Sequence, residues 1–286
     1  MAEFIAEHEK AIRLAAFAGI LLAMMAWEWF APRRALTLSR WRRWPSNLGI
    51  VVLNTLVLRL LFPAAAVGVA AFAASQSWGV LNHFGVSGWM AVLVSVVALD
   101  FVVWLQHVMV HAIPALWRLH RVHHADLDYD VTTGGRFHPF EIIVSMLIKF
   151  AAILVIGPPV VAVVIFEVVL NATSMFNHGN VRLPAGVDRW LRWLVVTPDM
   201  HRVHHSVDDD ETNSNFGFNL PWWDRLFGTY RAQPRGGHDG MQIGLNGLRD
   251  PRSVDRLDGM LLLPFTAPVS DYVINRRSFG NPPGDR

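Results

Sequence analysis

Residues 107–124 read HVMVHAIPALWRLHRVHH and residues 201–205 read HRVHH. A His107-x-x-x-His111 pair is thus followed by two copies of His-x-x-His-His, at His120, His123, His124 and at His201, His204, His205. Eight of the chain's 13 histidines lie in these three clusters. Spacings of three and four residues put side chains on one face of a helix, and neutral imidazole is the commonest protein ligand for transition metals. A structural zinc is satisfied by about four ligands, so eight converging imidazoles exceed the needs of one ion and point to a dinuclear site. Packing needs no repeated His-x-x-His-His, and crowded imidazoles that could become cationic would repel one another unless metal held them neutral. His8, His83 and His238 stand apart and read as ordinary core or surface histidines.

The clusters flank long apolar runs. Apolar residues make up 52% of the chain and charged residues 17%, against roughly 25% charged in soluble domains, and the mean hydropathy is +0.30. The fold class expected is an all-α integral membrane protein. Residues 11–30 are long enough to cross a hydrocarbon core of about 30 Å at about 1.5 Å per residue. Their arginines, Arg33, Arg34, Arg40, Arg42 and Arg43, follow the apolar stretch instead of preceding it, so the segment is expected to be retained rather than cleaved as a signal peptide. Residues 48–73 form a second run, interrupted by Arg59 and Pro63, and residues 87–110 a third, which carries Asp100 and delivers His107 and His111 at its end. Gly157-Pro158-Pro159 is a strong break and divides 140–177 into a fourth and fifth span, the last ending at Asn177 and His178. These are five crossings with a four-helix core. No further run of spanning length follows, so 179–286 is expected to form a helical, membrane-apposed cap over the dimetal site.

The arginine-rich loop after the first span should be cytoplasmic by the positive-inside rule, and the loop 74–86 has no Lys or Arg. Alternation then puts all three clusters and His178 on the cytoplasmic side. The domain organisation expected is an N-terminal transmembrane region 1–86, a histidine-box region 87–232 and a polar C-terminal tail 233–286. A stretch at 187–196, VDRWLRWLVV, is amphipathic and would lie along the inner leaflet. Lys149 and Glu167 sit at similar distances from the Gly-Pro-Pro turn and could pair across the hairpin, whereas Asp199, Asp208, Asp209 and Asp210 read mostly as solvated loop charges. Ligating histidines usually give their other N–H to a carboxylate or carbonyl. Asp100, two turns before His107, is therefore a candidate partner for it, with a hydrogen bond to a neighbouring span as the alternative. His138, before Pro139, reads equally as a ligand or as a capping residue.

Zero cysteines exclude disulfides, thiolate-ligated iron–sulfur clusters and a Cys-x-x-Cys redox motif. The net charge of +2 gives no reason to expect a nucleic-acid partner.

The three histidine clusters between and after paired apolar spans resemble the histidine boxes of the fatty acid hydroxylase and sterol desaturase superfamily. The likeness runs over residues 90–232. It includes Arg136-Phe-His138-Pro-Phe-Glu141, Asn177-His178, Asn215-Phe-Gly, and Trp223-Asp-Arg-Leu-Phe-Gly-Thr229. The resemblance implies a membrane oxygenase with two non-haem irons, for which zinc can substitute in purified protein, using O2 as cosubstrate. It implies His107, His111, His120, His123, His124, His201, His204 and His205 as ligands, with His178 as the ninth. Where some members have a His-x-x-x-His pair near this point, this chain has Ser174. Asn177, Asn215 and His138 join Asp100 as candidates surrounding the ligands.

The chemistry expected is insertion of oxygen into, or removal of hydrogen from, an unactivated C–H bond of a lipid entering laterally from the bilayer. The chain has neither a His-Pro-Gly-Gly haem segment nor a Gly-x-Gly-x-x-Gly nucleotide fingerprint. An external electron donor of ferredoxin or cytochrome b5 type, with its reductase, is therefore expected, and a bacterial inner membrane as the setting. Two other classes compete. A dizinc hydrolase would draw on bridging carboxylates and a general base, whereas these boxes contain only histidine. A metal transporter or sensor would place ionisable residues near the bilayer midplane, whereas these cluster at one face.

Overall fold

The computed structural model describes residues 2–266, and every regular element among them is helical. The elements that build the site are α1 (Glu9–Phe30), α2 (Arg40–Leu61), α3 (Ala65–Ser75), α4 (Gly88–Ala112), α5 (Pro114–His124), α6 (Pro139–Ile156), α7 (Val160–Asn177), α8 (Ala185–Leu191), α9 (Pro198–His204), α10 (Trp222–Leu226) and α11 (Leu257–Thr266). Among the described residues, five crossings are long and apolar enough to span a membrane. They are α1, the interrupted run Arg40–His83 that contains α2 and α3, α4, α6 and α7.

The second crossing differs most from the sequence reading. Its helix begins at Arg40 instead of residue 48, and it breaks at Phe62 before resuming at Ala65. Pro63 explains the break, because it lacks the N–H that would continue the ladder and disfavours a helical residue before it. The early start has a different cause. Arg43, which reads as a charge of the cytoplasmic loop after the first span, is fully buried and bonded inside the protein, donating from Nε and Nη2 to Asp126 at 2.8 and 2.7 Å and from Nη1 to Asp130 at 2.7 Å.

Within the bilayer, α1 and α4 pack on α7, and α3 packs on α6. Ala66 and Ala70 are fully buried against Leu99, Ile153, Val163 and Phe166. Lipid tails are as apolar as Leu, so helix association there relies on close packing, which small residues four apart permit. Gly157 ends α6 at φ 71°, and a side chain there would meet the carbonyl of Trp78 at 2.6 Å. Across the same hairpin Lys149 and Glu167 do pair, at 2.9 Å, and Arg13 of α1 joins them at 3.1 Å.

Above the bundle, loops are tied to the tips of the spans by buried charge. Glu28 Oε1, at the end of α1, accepts from the backbone N–H groups of Val131 and Asn180 at 2.7 Å each. Burial raises the Asp126 carboxyl, but Arg136 and Arg43 outweigh it and hold the group well below the usual carboxylate range. Removing one partner of a buried ion pair costs about 3–5 kcal/mol. Asp126→Asn should therefore lower the thermal midpoint of the purified protein markedly, and an unchanged midpoint would mean that the clasp adds nothing to stability.

The segment after residue 233 reads as a polar tail, yet it buries Ile243, Leu245, Val254, Met260 and Leu263. Leu245, Val254, Met260 and Leu263 close over Trp117, Val122 and Ile50, with α11 packed on α5 and α2. Ten residues of apolar helix are too few to span, and their partners are invisible in local sequence. The part of that tail from 267 to 286 lies outside the described residues.

Candidate metal centre

Each His-x-x-His-His copy occupies the last turns of a short helix. Pro114 and Pro198 each sit at the first helical positions of α5 and α9, where the missing N–H is not needed. His120, His123 and His124 then project from α5, and His201, His204 and His205 from α9 and its cap. His107 and His111 come from the last turns of α4, and His178 caps α7.

All nine are buried and fall into two groups. His107, His111, His120, His124 and His204 form one, and His123, His178, His201 and His205 form the other, with ligand nitrogens within 4.8 Å of one another in each group. The repeated motif is split in opposite senses. From α5 two histidines face the first group and one the second, whereas from α9 one faces the first group and two the second. Both helices thus straddle both positions.

Hydrogen bonds fix several tautomers. His107 Nδ1–H donates to the Phe216 carbonyl at 2.7 Å and His204 Nδ1–H to the Ser214 carbonyl at 2.7 Å. Their Nε2 atoms must then both present lone pairs, yet they lie only 3.0 Å apart. The same logic applies to His120, whose Nδ1 is bonded to Glu141 Oε1 at 2.6 Å while its Nε2 sits 3.2 Å from that of His107. His178 donates to the Ser174 carbonyl at 2.7 Å, and its Nε2 lies 3.2 Å from His123 Nε2. Both ring nitrogens of His205 are buried without a hydrogen-bond partner. Lone pairs converging in a buried space repel unless a cation lies between them, and neutral imidazole nitrogen is the donor that transition metals take. These residues fit a pair of metal ions. Burial pushes His120 and His178 down to about 3. It also holds His123, His124, His201, His204 and His205 well below their ordinary value, with neighbouring imidazoles adding to the effect. The rings are neutral at physiological pH, as metal ligation requires.

The other sequence candidates hold the frame. Asp100 does not reach a histidine. Seven residues along a helix is about 10 Å, and its Oδ2 accepts from Trp223 Nε1 at 2.8 Å, tying α4 to α10. His138 lies outside both groups and caps α6, with its Nδ1 accepting from Phe140 N at 3.2 Å. Asn177 donates to the Phe218 carbonyl at 2.9 Å and accepts at its own carbonyl from Tyr129 Oη at 2.7 Å. Asn215, at φ 51°, sits between the Ser214 and Phe216 acceptors and donates to the carbonyls of Met200 and Arg231 at 2.9 and 2.8 Å.

Two carboxylates escaped the sequence reading. Glu141 orients His120. Asp224 accepts from the backbone N–H groups of Phe216 and Gly217 at 2.9 and 2.8 Å and from Trp104 Nε1 at 3.1 Å, fixing the loop that serves His107. Their only local signal is a place in the stretches 136–141 and 223–229.

A cavity of about 310 Å³ runs from His107 and His120 down between the spans. Leu58, Val103, Phe166 and Leu170 line it, together with the polar side chains of Gln106, Ser145 and Lys149.

Residues 92–229, which carry all nine histidines, match the fatty acid hydroxylase family. The chain is 30% identical over 189 residues to ornithine lipid hydroxylase OlsE of Rhizobium tropici, covering 65% of this chain and 54% of that protein. It is 28% identical over 139 residues to the alkylglycerol monooxygenase of Homo sapiens, covering 47% and 29% respectively. It is 25% identical over 155 residues to fatty acid hydroxylase vlmA of a Lecanicillium species, covering 49% and 42%. The chain thus spans about half the length, or less, of these curated relatives. No solved structure matches it. With an all-helical membrane bundle, its histidines gathered where the bundle meets the cap, and this match across them, residues 92–229 make up a fatty acid hydroxylase domain.

Proposed function

We propose that the protein is a membrane di-iron oxygenase that hydroxylates a C–H bond of a lipid. The observation that carries this reading is the convergence of nine neutral imidazoles at the end of a cavity lying between membrane spans. When bound, two irons supply the reduction of O2, so that one oxygen atom enters the lipid and the other leaves as water, with two electrons and two protons from outside. The chain's own residues do the rest. The carbonyls of Phe216, Ser214 and Ser174 and the carboxylate of Glu141 fix ring orientation, so the ligand nitrogens are aimed before any metal arrives. Leu58, Val103 and Phe166 exclude water and admit an acyl or alkyl chain. The relatives' names, hydroxylases and a monooxygenase, favour hydroxylation over desaturation.

Electrons come from a separate donor of ferredoxin or cytochrome b5 type with its reductase. A dizinc hydrolase fits less well, because among the described residues no carboxylate enters either histidine group. A transporter fits less well because the histidines gather at one end of the spans.

The site faces the cytoplasm, most simply of a bacterial inner membrane. The chain has no cysteine, so single introduced cysteines report orientation cleanly. Ser77 and Gln233 are both exposed and on opposite ends of the bundle. Ser77→Cys should react with an impermeant maleimide from outside and Gln233→Cys only after the membrane is opened. The reverse pattern would invert the topology.

The decisive experiment pairs elemental analysis of anaerobically purified protein with lipidomics of host membranes under air. Two irons per chain and one lipid class gaining an oxygen atom support the proposal. Native zinc with no oxidised lipid would overturn it.

A further inference from the structure

A second concavity lies on the cap, away from the histidines, with a volume of about 790 Å³. Five arginines, Arg33, Arg182, Arg189, Arg192 and Arg225, line it against two carboxylates, Asp188 and Asp199, which leaves a surplus of three positive charges. Arg33 is held by Asp199 and Asp239 and Arg192 by Asp188. Arg182, Arg189 and Arg225 have no carboxylate within ion-pair distance among the described residues. Arg192 is only 4% exposed, yet its Nη2 has no hydrogen-bond partner, and neither does Arg225 Nε. An unsatisfied buried guanidinium N–H is costly, and both side chains line the recess, where a ligand with acceptor oxygens would relieve that cost. His238 at the edge is pushed down to about 4, chiefly by burial, so it adds no charge of its own at neutral pH.

The neighbours of the recess form an aromatic patch next to the spanning helices. Trp190, Trp193, Leu194, Trp222, Leu226 and Phe227 are exposed on α8, α10 and the turns that follow them. Trp222 Nε1 donates to the Trp193 carbonyl at 2.7 Å, and Phe227 stacks on Trp104 of the spanning helix α4 with centroids 4.7 Å apart. That patch adjoins the spanning helix α4 through Phe227, and exposed tryptophans settle at headgroup level. Arg225 stacks on Trp193 and on Tyr230, at 3.9 Å from each ring, so the guanidinium cluster begins where the aromatic belt ends. Phosphate lies at this level of a bilayer, and a planar guanidinium fork matches phosphate oxygens. A small concave recess with buried donors fits one headgroup better than the broad face of an acidic protein.

We propose that this recess binds the phosphate of a net-anionic phospholipid and so seats the cap on the bilayer beside the histidine site. The surplus charge selects against zwitterionic headgroups.

The test uses the full chain in detergent. Phosphatidylglycerol, phosphatidylcholine and inorganic phosphate are added separately, and retained ligand is read by native mass spectrometry alongside thermal stabilisation. Phosphatidylglycerol should be retained over phosphatidylcholine. Arginines near an anionic surface contribute about five-fold each in affinity, so Arg182→Gln/Arg189→Gln should weaken retention by about 25-fold and Arg225→Gln by about five-fold. The double variant alters only exposed side chains, so it still reports if Arg225→Gln fails to fold. Arg235→Gln, paired with Asp210 outside the recess, should match the wild type. Equal retention of the two lipids, or full retention by the double variant, overturns the proposal. If inorganic phosphate alone stabilises the protein and displaces the lipid, the recess serves a soluble phosphate and the lipid assignment falls. If no phosphate probe binds but the double variant loses electron delivery from an acidic donor protein, the recess is a docking face and the proposal falls.

Discussion

His204→Ala should abolish lipid oxidation and lower bound metal, while His83→Ala leaves both unchanged. His204 Nε2 is 3.0 Å from that of His107, and its Nδ1–H is spent on the Ser214 carbonyl, so it has no role left except to offer a lone pair to the five-histidine group. His83 is exposed near the opposite end of the bundle, in edge contact with Phe84. Because α5 and α9 each serve both groups, His123→Ala in the other group should lose activity as fully as His204→Ala. Iron analysis and product formation on the same preparations check this. Retention of full metal and activity in either variant would sink the dinuclear reading.

Glu141→Ala should weaken metal binding and activity by about 10–100-fold, the usual cost of removing a carboxylate that orients a ligating histidine. Glu141 Oε1 accepts from His120 Nδ1 at 2.6 Å, and among the described residues no second side chain orients that ring. Glu141→Gln keeps an acceptor oxygen in place and should fall between the wild type and Glu141→Ala. A metal titration separates this positioning role from simple loss of structure. If added iron restores Glu141→Gln but not His204→Ala, orientation and ligation are distinguished. If Glu141→Ala binds metal like the wild type, the positioning role is wrong.

The parts of the site that sequence discloses are those with local periodicity. Helical spacing put His107 with His111 and predicted that each His-x-x-His-His would share a helix face, and hydropathy placed the first, third, fourth and fifth spans within a few residues of α1, α4, α6 and α7. What escaped depends on contacts made by residues distant in the chain. Glu141 meets His120 across a loop, and Asp224 meets Trp104 from the far end of the cap. Arg43 read as one of the charges of the loop after the first span because its partners, Asp126 and Asp130, come from another loop. Asp199 read as a solvated charge, yet it pairs with Arg33 and Arg202, and those cations hold its carboxyl low against the upward push of burial. Asp100 had the right spacing and the wrong destination, since helical phase gives a face but not a reach.

Only two of the nine histidines, His107 and His120, line the cavity that descends between the spans. On the proposed function, a prochiral methylene group brought up that passage meets the centre from one side. Its two hydrogens are then inequivalent, and the alcohol formed carries a single configuration. A racemic product would mean that the oxidised carbon arrives by some other route.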